Sequence, residues 1–211
     1  AVIPRPTEGA RPPPAPVTTE AREGRRYSVA IQGIQGVDDE PALIESFDEQ
    51  SALREGLGEV ANAAQIDRRS RADAELLAEL LRSRGYYDAV VEPRIEPAAD
   101  ALEVVLVAEP GRQYTFESVE FPGIEAAGAE AAGVRDASAV LPRDPVIAQN
   151  VIDAGTALQL ALGEEGFALA EVGEQQVEID HRTFTASLVL PVQPGPVARF
   201  GQISVSGQPP F

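Results

Sequence analysis

Residues 72–87, ADAELLAELLRSRGYY, decide the fold of this chain. Apolar residues between Ala72 and Leu81 recur at the three- and four-residue spacing of an amphipathic helix. The pattern stops at Gly85, which is typical of a helix C-terminus, and Tyr86 and Tyr87 follow directly. This stretch therefore predicts a long helix that packs by one face and ends at a glycine followed by aromatic residues.

The same pattern returns later in the chain. Val151, Leu158 and Leu162 lie on a second apolar stripe that ends near Gly166 and is followed by Phe167. The two stop glycines are 81 residues apart. A pattern that recurs at domain-sized spacing indicates one structural unit that occurs more than once.

Three strand-like segments recur in the same phase, and each ends at a glycine. They are YSVAIQG at 27–33, FESVEFPG at 116–123 and FGQISVSG at 200–207, and their closing glycines are 90 and 84 residues apart. Apolar residues that alternate with small or polar ones are typical of a half-buried strand. The unit is therefore predicted to occur twice and to begin a third time.

Each unit also contains a shorter helix and a pair of later strands. A short helix is predicted near Asp39 and Pro41, and the second long helix should begin at Asp144 with Pro145 in its first turn. The strand pairs span 89–95 with 102–108, and 169–179 with 183–192. The order strand, helix, helix, strand, strand predicts an α+β fold, in which each unit has a three-stranded mixed sheet covered on one face by two helices.

The repeat divides the chain into four predicted segments. Residues 1–26 are rich in proline and are expected to form a disordered arm or linker. Residues 27–111 form the first unit, 112–196 the second, and 197–211 the first strand of a truncated third. Hydrophobic residues make up 44% of the chain but aromatic residues only 5%, so the cores should be small and aliphatic.

Charge and residue content limit the function. The 34 acidic and 17 basic residues give a net charge of −17, which disfavours nucleic acid and anionic lipid as primary ligands. The chain has no cysteine, and its single histidine, His181, lies between two predicted strands, where a role in a hairpin turn is favoured over that of a catalytic base. We expect no enzyme activity, no catalytic residues, no cofactor and no metal site.

Clustered charges allow two interpretations. The acidic runs at 38–40 and 164–165 lack the ligand spacing of a calcium loop and are interpreted as solvated helix ends. Basic residues at both ends of the first long helix could meet an acidic partner, but charges that offset neighbouring acids are the simpler explanation. These basic residues are Arg68, Arg69, Arg71, Arg82 and Arg84.

Residues 27–211 resemble the polypeptide-transport-associated (POTRA) domains of the Omp85 superfamily. The resemblance rests on the element order, on the glycine and aromatic residue after the second helix, and on the glycine that closes the first strand. Within the superfamily the likeness is closest to the TamA subunit of the translocation and assembly module, and is carried by IDRRSRA at 66–72, LRSRGYY at 81–87 and RFGQISVSG at 199–207. The alanine-rich run 125–132 and the proline-rich start depart from that pattern.

The resemblance implies a non-enzymatic module at the periplasmic face of the Gram-negative outer membrane. Its expected partners are a periplasm-spanning, TamB-like protein and unfolded clients such as outer-membrane proteins or autotransporters, with no nucleic acid. It also implies the rest of a third POTRA domain and a C-terminal β-barrel outside these 211 residues, so that membrane contact would run through that barrel alone.

An extended client strand can pair with the backbone of an exposed sheet edge largely independently of side chains. The resemblance points to the second strand of each unit as the docking edge, and Pro93 should weaken pairing in the first unit. The candidate partner-binding residues are Ala89, Val90, Val91, Glu92, Leu169, Ala170, Glu171 and Val172.

Other functions stay open at this point. Within the superfamily, a general outer-membrane protein assembly factor or a two-partner secretion transporter would use the same domains. From other classes, a structural or division-type POTRA protein and a secreted acidic hydrolase are also possible. The short link from Pro110 to Tyr114 predicts limited hinge motion between the two units.

Overall fold

The computed structural model describes residues 24–98 and 101–198. The first unit begins with a strand, continues through three helices and returns through two strands that form a hairpin. These elements are β1 (Tyr27–Gln32), α1 (Glu40–Gln50), α2 (Ala52–Glu55), α3 (Ala63–Ser83), β2 (Val90–Ala98) and β3 (Ala101–Glu109). Helix α3 starts at a capping box, in which Asn62 and Gln65 each accept a hydrogen bond from the other's backbone N–H.

The second unit repeats this order with shorter strands. It comprises β4 (Thr115–Glu120), a 3₁₀ helix (Ile124–Glu130), α4 (Ala131–Ala137), α5 (Ala148–Glu164), β5 (Glu171–Val172), β6 (Gln176–Asp180), β7 (Thr185–Val189) and β8 (Val192–Gln193). No helix among the described residues is long and apolar enough to cross a membrane.

Both sheets have the same topology. In the first, β3 lies at the centre and pairs in parallel with β1 and antiparallel with β2. In the second, β7 lies at the centre and pairs in parallel with β4 and antiparallel with β6. The predicted α+β class with three-stranded mixed sheets is confirmed, whereas the boundaries at 26/27, 111/112 and 196/197 stay predictions.

Each unit has its own core between the long helix and the central strand, in which buried aromatic residues such as Phe47 and Phe116 join the predicted aliphatic ones. In the first unit, Leu77 and Leu81 of α3 pack in one cluster with Leu106 of β3. In the second, Leu158 and Leu162 of α5 lie in one cluster with Leu188. Burial of each leucine contributes about 1.5–3 kcal/mol, so a unit of this size depends on a few side chains.

The glycines that close the first strands share one physical cause. Gly33 and Gly123 have φ values of 86° and 92°, which disfavour residues with a Cβ atom. A Cβ atom would lie 1.9 Å from the carbonyl oxygen of Ala108 at Gly33, and 2.2 Å from that of Val192 at Gly123. The repeated glycine therefore permits a close backbone approach that both units require.

Two local predictions were wrong. Helix α5 begins at Ala148 rather than after Asp144, whose carboxylate instead accepts a hydrogen bond from the N–H of Leu141 at 2.8 Å. The single strand predicted over 169–179 is divided into β5 and β6. On the partner strand Pro191 has no N–H to donate, and its carbonyl oxygen accepts from the N–H of Gly173 where the division occurs.

Two predicted segments lie largely outside the described residues. These are the proline-rich arm, described only from Gly24 onward, and the first strand of the third unit, described only at 197–198.

The basic run near α3 is described: the guanidinium of Arg69 donates to the hydroxyl of Tyr27 at 3.2 Å, and Arg71 pairs with Asp67 at 3.1 Å. These two cations of the run therefore have partners within the unit.

Candidate functional site

The candidate residues of the first unit lie at the start of β2. Ala89 precedes the strand and is buried, while Val90, Val91 and Glu92 pair with Glu109, Ala108 and Val107 of β3. Strand β2 is the outer strand of its sheet, so one side of its backbone faces away from β3. The structure therefore places Val90, Val91 and Glu92 on an edge strand, and their role in partner binding stays a prediction.

Prolines interrupt this edge. Pro93 and Pro97 lie opposite Leu106 and Leu102 in the register with β3. A proline within a paired strand is tolerated where its nitrogen points away from the partner, so both nitrogens point outward. Alternate residues of an edge strand direct their N–H groups outward, and among 91, 93, 95 and 97 two lack that donor. An added strand would lose half of the hydrogen bonds that backbone N–H groups at these positions could donate, while the carbonyl oxygens could still accept.

The groove between α3 and this edge has balanced charge. Arg71 and Arg82 line it together with Glu75 and Glu79, and Pro93 lies on its strand side. Two cations and two carboxylates leave no net preference for either sign of ligand. We call this surface the first groove.

The candidate residues of the second unit have little free backbone. Glu171 and Val172 pair with Gln193 and Val192 in a separate two-stranded sheet. On α5, the Gln159 side-chain amide donates to the carbonyl oxygen of Ala170 at 2.7 Å and accepts from the N–H of Val172 at 3.2 Å. Leu169 lies before β5 with 71% of its surface exposed. This segment is held to the helix by hydrogen bonds, and sequence reasoning missed that contact.

The free edge of the second unit lies further along, at β6. Among the residues that the structure describes, no strand pairs with the outer side of β6. The opposite edge of the sheet is partly covered, because Phe116 of β4 donates its N–H to Asp144 at 2.9 Å and accepts from Arg143 at 2.7 Å. The exposed backbone of this sheet is therefore on β6.

Register identifies the outward N–H groups of β6. Val177 and Ile179 lie opposite the buried residues Leu188 and Ala186, as Pro93 lies opposite the buried Leu106. In a β-strand, the chirality of each residue couples the direction of its side chain to the direction of its backbone N–H. Equivalent positions in two sheets of the same topology therefore point their N–H groups the same way, toward or away from the central strand. Val177 and Ile179 thus have outward N–H donors, whereas the prolines on the edge strand of the first unit have none.

A groove of about 760 Å³ runs beside β5 and the Gly173–Gln175 segment that leads into β6. Its helix side carries Ile152 and Leu160, which are 51% and 63% exposed. Between them, a Cβ atom added at Gly155 would meet no atom within 4 Å, so the space above the helix backbone is open. Among the residues that line this second groove, Glu164 alone is charged, whereas two arginines and two glutamates line the first groove.

Acidic residues surround the second groove. Between Arg143 and Arg182 the sequence contains eight carboxylates and no arginine or lysine. Glu164 lines the groove, and Glu171, Glu174 and Glu178 are exposed on the adjacent strand segments. Among described residues, none of these four glutamates forms an ion pair. The electrostatic potential here is therefore negative.

A hydrogen-bonded cluster joins the two units. The hydroxyl of Tyr114 donates to Asp88 at 2.8 Å and lies 2.9 Å from Nδ1 of His181. The same Nδ1 lies 2.8 Å from the other carboxylate oxygen of Asp88. Since a carboxylate only accepts, Nδ1 carries the proton in this contact. His181 is in the turn between β6 and β7, as predicted, but it contacts the first unit.

This cluster shifts two pKa values. Hydrogen bonds from Tyr114 and then His181 hold the pKa of Asp88 below its ordinary range. Burial, followed by the hydrogen bond to Asp88, raises the pKa of Tyr114 to about 12. Both shifts favour the observed arrangement, an ionised carboxylate that accepts from a neutral phenol.

Backbone and aromatic contacts reinforce the joint. Tyr114 donates its N–H to the carbonyl oxygen of Gly85 at 2.8 Å and accepts from the N–H of Val146 at 2.9 Å. Its ring packs edge-on against Tyr87 and Phe184, with centroids 5.3 and 5.5 Å away. Of the two aromatic residues after the first stop glycine, Tyr87 thus belongs to the contact between units, whereas Tyr86 packs in the core of the first unit.

The described residues contain no group of three or more His, Asp or Glu side chains arranged to hold a metal ion. The single histidine is engaged by Asp88 and Tyr114 and lies beside neither groove.

No family of known sequences matches this chain, and no curated protein matches it. Solved structures with partial likeness include Haemophilus influenzae BamA POTRA3-5, at 19% identity and a TM-score of 0.42 over 88% of this chain and 74% of that one. POTRA1-3 of Omp85 from Anabaena has 13% identity and a TM-score of 0.37, over 81% and 65% of the two chains. CdiB from Acinetobacter baumannii has 12% identity and a TM-score of 0.38, over 81% of this chain and 30% of that chain. At such values these likenesses alone assign neither family nor function.

Proposed function

We propose that this chain belongs to the periplasmic region of an outer-membrane assembly factor of the Omp85 superfamily, similar to TamA. In this proposal it is a non-enzymatic receiver: extended segments of unfolded outer-membrane proteins or autotransporters pair with its free sheet edge before insertion. A periplasm-spanning, TamB-like protein is the proposed structural partner. The proposed location is the periplasmic face of the Gram-negative outer membrane.

The observation that carries this proposal is the free edge of β6, which follows directly on the Gly173–Gln175 segment beside an open apolar groove. Backbone pairing supplies affinity that is largely independent of client sequence, while a groove beside the edge accepts alternate side chains of the added strand. These are the properties that a receiver of many different β-strands requires. The motif resemblance of residues 27–211 to POTRA domains supports the same function.

Contacts at the joint also suit a module that presents a client in a fixed direction. Tyr114 is buried there and is held by main-chain and side-chain hydrogen bonds to both units. We propose that these bonds limit hinge motion between the units, as the short link from Pro110 to Tyr114 predicts.

The test is site-specific photo-crosslinking in intact cells that express the full-length natural protein. A photo-reactive residue at Val177, which is 38% exposed on β6, is expected to form adducts with envelope proteins. The matched position is Leu141, which is 62% exposed in the same unit but lies in the segment before Asp144, near the covered edge. Mass spectrometry of the adducts should identify outer-membrane or autotransporter strands at Val177 and far fewer at Leu141.

Equal adduct yields at the two positions, or adducts at Val177 with no envelope protein among them, would contradict the proposal. Recovery of a TamB-like protein in the same sample would support the narrower assignment. Recovery of clients of general outer-membrane assembly alone would favour the broader one.

A further inference from the structure

The two grooves have the same place in the fold but opposite properties. The first has balanced charges and an edge interrupted by Pro93 and Pro97. The second has exposed apolar side chains, open space above Gly155, and an edge whose outward N–H groups at Val177 and Ile179 are intact. An added strand can therefore form a full ladder in the second unit only.

The charge around the second groove defines what the added strand should carry. Glu164, Glu171, Glu174 and Glu178 lie along the groove and the strand segments beside it, without an ion-pair partner among described residues. A ligand with lysine or arginine would neutralise them, whereas an acidic ligand would add like charges in a confined site.

From these observations we infer that the second groove and the β6 edge select extended segments in which apolar residues alternate and basic residues flank the apolar run. This inference rests on the proposed function and specifies its ligand class. Side chains on the groove side of the added strand would contact Ile152 and Leu160, and basic flanks would meet the glutamates. The first unit would not contribute to this binding.

The experiment uses the 211-residue chain and four fluorescein-labelled ten-residue peptides, measured by fluorescence anisotropy. The first peptide has alternating valine and threonine with two lysines at each end, and the second has glutamates in place of the lysines. The third has the composition of the first in a non-alternating order. The fourth is the first with backbone N-methylation on alternate residues, which removes donors without changing charge.

The lysine-flanked peptide is expected to bind about tenfold more tightly than the glutamate-flanked one at low salt, with the difference shrinking as salt rises. The reordered and N-methylated peptides should bind at least about tenfold more weakly than the first, since each loses the ladder or the alternation. Equal binding of the lysine- and glutamate-flanked peptides would overturn the charge selection.

Two pairs of variants localise the site. Val177→Pro removes one outward N–H as prolines do in the first unit, and Val177→Ala is its control for side-chain loss. Gly155→Leu fills the open space on α5, and Gly133→Leu is its control, because a Cβ atom at Gly133 on α4 also meets no atom within 4 Å. Binding should fall at least about fivefold in Val177→Pro and Gly155→Leu, clearly less in Val177→Ala, which keeps the N–H group, and by less than about twofold in Gly133→Leu.

The outcomes separate the two proposals. If no alternating peptide binds, whatever its flanks, strand reception itself fails. If the lysine-flanked and glutamate-flanked peptides bind equally and Val177→Pro abolishes this binding, strand reception stands and the selection for basic flanks is wrong. Concentration-dependent dimerisation of the chain alone in sedimentation, lost in Val177→Pro, would show that a second copy occupies the edge instead and would overturn the inference. Circular dichroism of each variant confirms folding.

Discussion

The two units of this chain share a topology but offer different surfaces to a partner. Both have a parallel strand pair, an antiparallel outer strand and a long helix above the sheet. The first unit has prolines on its outer strand and balanced charge in its groove, whereas the second has a β6 edge without proline and a surplus of carboxylates around an apolar groove. The fold sets where a groove lies, and a few residues decide whether a strand can bind there.

The difference also indicates which of the two edge strands is free to bind a partner strand. Natural proteins protect exposed edge strands with proline and charge, because an unprotected edge invites aggregation. Glu92, Pro93 and Arg94 give β2 such protection. The β6 edge is short and carries Glu178 and Asp180, but it has no proline. The two edges therefore differ in their backbone donors, and only β6 keeps all its outward N–H groups free to pair.

The largest expected effect tests what the units have in common. Gly33→Ala and Gly123→Ala should each destabilise their own unit by at least about 3 kcal/mol, because positive φ costs about 1–2 kcal/mol and the close carbonyl oxygens add overpacking. Gly36→Ala and Gly128→Ala are matched controls, since both have positive φ but a Cβ atom there meets nothing within 4 Å. Urea denaturation measures the free energies of unfolding.

Hydrogen exchange by mass spectrometry assigns each loss to a unit. Amides of the first unit should lose protection in Gly33→Ala, and those of the second in Gly123→Ala. A loss in the controls as large as in the test variants would show that backbone conformation, not the close approach, explains the repeated glycine. Loss of protection throughout the chain in either variant would show one cooperative body.

A smaller effect is expected when the first edge is opened. The double variant Pro93→Thr, Pro97→Thr restores two outward N–H groups, each worth about 1 kcal/mol when hydrogen-bonded. We expect affinity for an alternating peptide with uncharged flanks to rise roughly tenfold, with no preference between lysine and glutamate flanks because the first groove has balanced charge. Fluorescence anisotropy measures this affinity in the Val177→Pro background, where the second edge is blocked.

The control is Glu92→Thr, Arg94→Thr in the same background, which changes side chains on β2 but restores no donor. A gain in that control equal to the gain in the proline variant would show that charge, not missing N–H groups, protects the first edge. In that case the comparison of the two edges would rest on electrostatics alone.

Sequence alone predicted the parts of the fold that depend on local pattern. The stripe ending at Gly85, the closing glycine at 123 and the first strand pair follow from periodicity and backbone preference, and the structure places a helix, a positive-φ glycine and two strands there. The predicted start of α5 was wrong, because Asp144 and Pro145 instead belong to a segment that pairs with β4. The residue types fit a helix start, but a long-range contact determined their structure.

The candidate site was less predictable for the same reason. The free edge in the second unit depends on Gln159, whose side chain binds the backbone near Val172 across 13 residues, and on Pro191, which divides the strand pair. No spacing rule reveals such a bridge. The one signal that could have moved the prediction toward β6 was Pro191 itself, since a proline opposite a predicted strand indicates interrupted pairing.

The smallest expected effect concerns the joint, where the two units meet. The pKa of Asp88 is lowered in the folded protein by hydrogen bonds from Tyr114 and His181, so the unfolded chain binds a proton there at higher pH than the folded one does. The stability that Asp88 contributes is fully present above its ordinary pKa of about 4 and is lost as the pH falls through the lowered folded pKa. Asp88→Asn should therefore reduce the free energy of unfolding at pH 7, and the difference from wild type should shrink below about pH 4.

Asp180 provides the matched control for that measurement. Its pKa is also lowered, first by the backbone N–H of Arg182, and its side chain bonds within the β6–β7 turn. Asp180→Asn should show a similar acid dependence while the N–H of Tyr114, which donates to Gly85 across the joint, keeps its exchange protection. Asp88→Asn should reduce that protection at neutral pH. If both variants leave the Tyr114 amide equally protected, the carboxylate adds nothing to the joint, and main-chain hydrogen bonds and aromatic packing hold the units together without it.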